Sequence, residues 1–145
     1  MLRGRFGNTS GRPYIEGRLI LSRLGIRSDI SWLVDTGADR SLLLPDDGDR
    51  MNIDYAKLTG DEESVGIGGL SHNFVEPAIL VFAEPNRFLH VYTLDLTISP
   101  PDPDLRDMPS LLGRDVLDQW RITYNPTKQY LGCRVLSADI TIPLT

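Results

Sequence analysis

The segment Trp32-Leu33-Val34-Asp35-Thr36-Gly37-Ala38 constrains this chain more than any other. Three apolar residues in a strand-forming run lead straight into a carboxylate. A threonine and a glycine follow, and a second apolar run, Leu42-Leu43-Leu44, begins soon after. The pattern predicts strand, tight turn, strand, with Asp35 in the turn. A carboxylate among apolar neighbours loses hydration, which is costly unless the group is paired or shares a proton. Two expectations stand side by side. One is an Asx-type turn between two strands, held by the Asp35 side chain. The other is a carboxylate kept for chemistry.

The rest of the chain reads as mostly β. In residues 14–24, Ile15, Gly17, Leu19 and Leu21 share one face, with Glu16 and Arg18 on the other. Residues 30–34, 41–44, 74–82, 88–98, 111–112, 122–124, 129–136 and 140–144 read as further strands. Residues 45–50, PDDGDR, read as an acidic, turn-rich loop, and residues 100–109 as a proline-rich one. Asp54 is placed to cap a short helical turn. Only residues 114–120 carry helical spacing, through Val116, Leu117 and Trp120. No internal repeat or low-complexity tract is evident. Helix is scarce, so a small barrel or sandwich is expected, in a single domain over residues 1–145. Residues 1–13 read as a candidate flexible leader.

The chain has 145 residues, 41% hydrophobic and 24% charged, enough for one ordinary core. Its net charge of −5 argues against a nucleic-acid partner, which needs a basic face. A single cysteine, Cys133, allows no intrachain disulfide. With two well-separated histidines, His72 and His90, it offers no zinc set, so no metal or other cofactor is expected. Neither a signal peptide nor a membrane span is legible, so a soluble cytoplasmic protein with no membrane partner is the expectation.

Two more motifs follow the first. Leu111-Leu112-Gly113 is an apolar strand meeting a glycine, and Arg114 opens the helix after it. A cation is unfavourable at the positive end of a helix dipole, so Arg114 calls for a carboxylate partner, for which Asp39 is the natural candidate. The plainer alternative is a solvated arginine beside an ordinary turn. Between them, Gly66-Ile67-Gly68-Gly69 reads as a glycine-rich hairpin tip that carries one apolar residue. That residue suggests a tip that closes over something; a plain flexible turn is the alternative. The cluster is not a phosphate loop, since no Lys-Ser/Thr and no helix follow it.

Taken together and in this order, Val34-Asp35-Thr36-Gly37-Ala38-Asp39, Gly66-Ile67-Gly68-Gly69 and Leu111-Leu112-Gly113-Arg114-Asp115 resemble the retropepsin-like aspartic proteases. The resemblance spans about residues 14–124. It implies an all-β, closed, barrel-like acid-protease fold with one short C-terminal helix and a flap hairpin. It implies a homodimeric aspartic endopeptidase that acts on polypeptides without a cofactor. Asp35 resembles the catalytic aspartate, with Thr36, Gly37, Ala38, Asp39 and Arg114 as its support. Gly66, Ile67 and Gly68 resemble the substrate-binding flap tip. The chain holds one Asp-Thr-Gly, so a pair of aspartates requires two copies. The rivals are a catalytically inactive dimerisation or peptide-binding module of the same fold, and an unrelated β-barrel binding protein with a fortuitous Asp-Thr-Gly.

Overall fold

A computed structural model describes residues 1–58, 60–66 and 69–144. The chain opens with β1 (Leu2–Arg3), β2 (Arg5–Phe6), β3 (Pro13–Leu21), β4 (Ile26–Val34) and β5 (Leu42–Leu43), then a short helix α1 (Pro45–Arg50). Two long strands next to one another follow a shorter one: β6 (Gly60–Gly66), β7 (Gly69–Glu84) and β8 (Phe88–Ile98). The last third holds β9 (Leu111–Leu112), α2 (Arg114–Leu117), β10 (Trp120–Asn125), β11 (Tyr130–Val135) and β12 (Ile140–Pro143). Among the described residues no helix is long and apolar enough to cross a membrane.

The larger sheet runs in the order β12, β8, β5, β9, β4, β3, β7, β6, with β2 added beside β3. β7 also pairs with β8, from Phe74 opposite Ile98 to Glu84 opposite Phe88. That second pairing closes β8, β5, β9, β4, β3 and β7 into a six-stranded barrel. Closure removes the exposed edges that an open sheet would leave. A smaller sheet, in the order β1, β11, β10, packs beside it.

The alternation read in β3 is what the barrel uses. Ile15, Gly17, Leu19 and Leu21 are buried, while Glu16 and Arg18 face solvent. Inside stand Trp32, Leu80, Phe82, Tyr92, Leu96, Ile98 and Leu112, each essentially without solvent contact. Burying one such side chain contributes about 1.5–3 kcal/mol. The Phe82 and Trp120 rings meet edge to face, 4.9 Å between centroids. Two aromatic polar groups in this core are matched: Trp120 Nε1 donates to the Tyr92 hydroxyl at 2.7 Å, which donates to the Ser137 carbonyl at 2.7 Å.

Three differences from the sequence expectations have physical causes. β4 begins at Ile26, not at residue 30, because polar residues at its start are held across the strand pair: Arg18 sits opposite Asp29 and binds it at 3.0 Å. Residues 45–50 form α1 rather than a loop. Pro45 occupies the first helical position, where no N–H is needed, and Asp46 and Asp47 lie at the positive end of the dipole. Four of the first six residues of the candidate leader are strand. β1 pairs with β11 and β2 with β3, and Leu2 and Phe6 are buried.

Candidate active site

Strand β4 carries the segment that opened the sequence argument. Trp32 is fully buried, and its Nε1 donates to the Gly17 carbonyl at 3.2 Å. Beside β4 runs the two-residue β9, parallel, with Leu33 opposite Leu111 and Val34 opposite Leu112. On its other side β9 meets β5 antiparallel, Leu42 opposite Leu111. Residues 35–41 link β4 to β5 and so arch over the C-terminal end of β9.

That arch places Asp35 at the end of a core strand, half-buried. Its backbone N–H donates to the Leu112 carbonyl at 3.1 Å, which prolongs the β4–β9 pairing into the turn. Its Oδ1 accepts from the Gly37 N–H at 2.9 Å, and its carbonyl accepts from the Ala38 N–H at 3.2 Å. The Asx turn is therefore present, and it orients the carboxylate. Thr36, Gly37 and Asp39 are exposed and Ala38 is half-buried.

The support comes from the second motif. Arg114 donates its backbone N–H to the Ala38 carbonyl at 2.9 Å, and its guanidinium binds the Asp39 carboxylate. The carboxylate partner expected for Arg114 is Asp39. The Asp39 side chain is 83% exposed, so the bond steers the loop more than it stabilises the fold. Gly113 makes the approach feasible. A Cβ there would lie 2.5 Å from the Arg40 carbonyl carbon and 2.9 Å from the Ala38 oxygen, both immovable backbone.

Two further residues brace the arch, Ser41 and Asp115, neither of them marked by any local signal in the sequence. Ser41 is fully buried under the arch. Its hydroxyl donates to Asp115 Oδ1 at 2.7 Å and accepts from the Gly113 N–H at 3.0 Å. Across β5 and β9 the arrangement repeats. The Ser110 hydroxyl donates to Asp47 Oδ2 at 2.6 Å and accepts from the Leu44 N–H at 2.9 Å. The sequence does hold a short repeat: Ser41-Leu42-Leu43 and Ser110-Leu111-Leu112, each followed by a helix with an aspartate in its first turn. Three residues are too few to stand out in a linear scan. Antiparallel pairing of Leu42 with Leu111 makes the two copies visible as a local two-fold relation.

Gly66 ends β6 opposite Gly69. Ile67 and Gly68 lie outside the described residues. Among the described residues no group of three or more His, Cys, Asp or Glu is placed to hold a metal ion.

Among solved structures the chain is similar to a retropepsin-like aspartic protease from Rickettsia conorii. The TM-score is 0.58, over 99% of this chain and 92% of that one, at 20% sequence identity. The fold is retropepsin-like. EIAV protease complexed with the inhibitor HBY-793 is also similar, at 20% identity and a TM-score of 0.46, over 77% of this chain and 90% of that one. No protein-family model and no curated protein matches the chain. With four residues in five different, the retropepsin-like assignment rests on architecture, and the chemistry must be argued from the arch itself.

Proposed function

We propose that this chain is an aspartic endopeptidase active as a homodimer, hydrolysing peptide bonds with water activated between two Asp35 carboxylates. The observation that carries the proposal is the placement of Asp35. A core strand delivers it to a braced, solvent-accessible turn between β4 and β5. One chain supplies one such carboxylate, and a two-fold axis through the arch supplies the second.

Amide hydrolysis needs a base to activate water and an acid to protonate the leaving nitrogen. Two carboxylates at close range cannot both ionise, so they hold one proton between them and serve as both; aspartic-protease dyads are the standard example of this behaviour. In this scheme Asp35 is catalytic. Thr36, Gly37 and Ala38 shape the turn, and Asp39 with Arg114 braces it. The β6–β7 hairpin, with Gly66, Ile67 and Gly68 at its tip, covers an extended polypeptide that pairs as an added strand. The whole of residues 1–145 forms one domain, and no metal or organic cofactor enters the scheme.

The test is digestion of a peptide library at several pH values, read by mass spectrometry, with sedimentation of the same samples. The expected result is cleavage by a dimer, greatest at acid pH, and none by Asp35→Asn. Peptide cleavage by a strictly monomeric protein, or by Asp35→Asn at full rate, would overturn the proposal. A folded wild-type dimer that binds peptides and cuts none would favour a non-catalytic module of the same fold.

A further inference from the structure

β6 and β7 pair with each other from Gly60 opposite Val75 to Gly66 opposite Gly69. β7 acquires β8 as a second partner only from Phe74 onward, and β3 only around Ile79 to Val81. Towards the turn from Phe74, the two legs pair only with one another among the described residues. Phe74 to Val75 is where the paired legs join the barrel through β8, so the contacts made there bear on the hairpin's direction. A small tilt there is carried outward along the legs at roughly 3.3 Å per residue.

At that base one guanidinium joins β7 to the segment that leads into β6. Arg23 lies in a single 3-10 turn, Ser22–Leu24, between β3 and β4. Its Nε donates to Glu76 Oε2 at 2.8 Å and its Nη2 to Glu76 Oε1 at 2.7 Å. The same Nη2 donates to the backbone carbonyl of Lys57, just before β6. Glu76 belongs to the other leg, on β7, and is fully buried. A buried carboxylate is strongly unfavourable without a partner, and the planar fork of arginine satisfies both of its oxygens at once. The legs are also in close contact here. A Cβ on Gly60 would lie 2.5 Å from the Val75 carbonyl oxygen, so only glycine lets them meet.

We infer that Arg23 is a positioning residue: clamped to Glu76 and to the Lys57 carbonyl, it fixes the angle at which the β6–β7 hairpin leaves the barrel, and so the hairpin's hold on an extended peptide. The link to peptide rests on the proposed protease function; the link to hairpin order does not. Arg23 touches no reacting atom in this scheme.

The experiment combines amide hydrogen exchange, read by mass spectrometry on the full chain, with cleavage kinetics. In Arg23→Gln, exchange across residues 60–75 quickens by about tenfold, while protection in β3, β4 and β8 stays within about twofold. For peptide cleavage, KM rises about threefold or more and kcat stays within about twofold. Arg23→Lys does not rescue either effect, because an ammonium cannot bind two carboxylate oxygens and a carbonyl in one plane. Unchanged exchange in residues 60–75, or loss of protection spread evenly through the barrel, overturns the inference. So does a fall in kcat at constant KM. If Arg23→Gln fails to fold, Glu76→Leu removes both carboxylate acceptors without leaving a bare buried carboxylate and carries the same expectations. If the wild type cuts no peptide, the protease proposal falls and the exchange result alone decides the clamp.

Discussion

Asp115 holds Ser41 across 74 positions of chain by two hydrogen bonds, 2.9 Å from the Ser41 N–H and 2.7 Å from its hydroxyl. The acceptor sits in the first turn of α2, and the donor lies beneath the arch that carries Asp35. One carboxylate thus ties the second motif to the first from below, while Arg114 ties them at the surface. Asp47 does the equivalent for Ser110 on the opposite side of the β5–β9 pair.

Asp115→Ala leaves the fully buried Ser41 hydroxyl and its N–H without that partner. The expected cost is about 2 kcal/mol, the range for stranding buried polar groups. Urea unfolding measures it as a lower midpoint at unchanged slope. An unaltered midpoint would mean that these bonds contribute nothing net.

Gly113→Ala drives a methyl group into the backbone of Ala38 and Arg40. Neither neighbour is a flexible side chain, so the arch must shift. The expected destabilisation is about 1–3 kcal/mol, with loss of any activity that depends on Asp35. A crystal structure of the variant with residues 35–40 in place would refute this.

Asp35→Asn keeps size and shape and retains the Oδ1 acceptor for the Gly37 N–H. Stability is expected to stay within about 0.5 kcal/mol of the parent. Peptide cleavage is expected to fall by about three orders of magnitude or more. Circular dichroism and sedimentation check the first part, and a fluorogenic peptide the second.

Glu84 is expected to link stability to pH. Burial alone would raise its pKa, but the Met1 α-ammonium at 3.1 Å and His90 at 3.6 Å outweigh burial and hold it below the usual carboxylate range. A carboxyl depressed in the folded state stabilises above its unfolded pKa and loses that contribution as pH falls through the folded value. Glu84→Gln should therefore be less stable than the parent at neutral pH, and the gap should close below about pH 4. Thermal melts across that window test it; a gap constant with pH would assign the effect to packing.

Cys133 is fully buried, and loss of hydration pushes its thiol up to about 11. The thiolate is the reactive form, so the native protein should resist a disulfide reagent at neutral pH and react promptly once unfolded. Rapid labelling without unfolding would show that β11 opens locally.

The strands with a strong period were legible in the sequence because each had to bury one face. Ile15, Gly17, Leu19 and Leu21 announce β3 by alternation alone, and Trp32, Leu33 and Val34 announce the strand that delivers Asp35. Asp39 was legible as the partner of Arg114 because a cation at a helix start needs a counter-charge. The start of β4 was not legible, since Asp29 gains its partner Arg18 only across the strand pair. Helix α1 had local signals, Pro45 at its start and Asp47 paired with Arg50 one turn on, but its Pro-Asp-Asp-Gly composition reads equally as a turn.

By itself the sequence determined the strand-rich character, the carboxylate of Asp35 directly at the end of an apolar run, and the order of three motifs. Those are local properties, fixed by side-chain period and turn chemistry. Tertiary structure alone decided that β9 threads between β4 and β5, that Ser41 meets Asp115, and that Arg23 joins β7 to the turn before β6. Each of these joins residues far apart in the chain. Such contacts depend on barrel closure, which no window of neighbouring residues encodes.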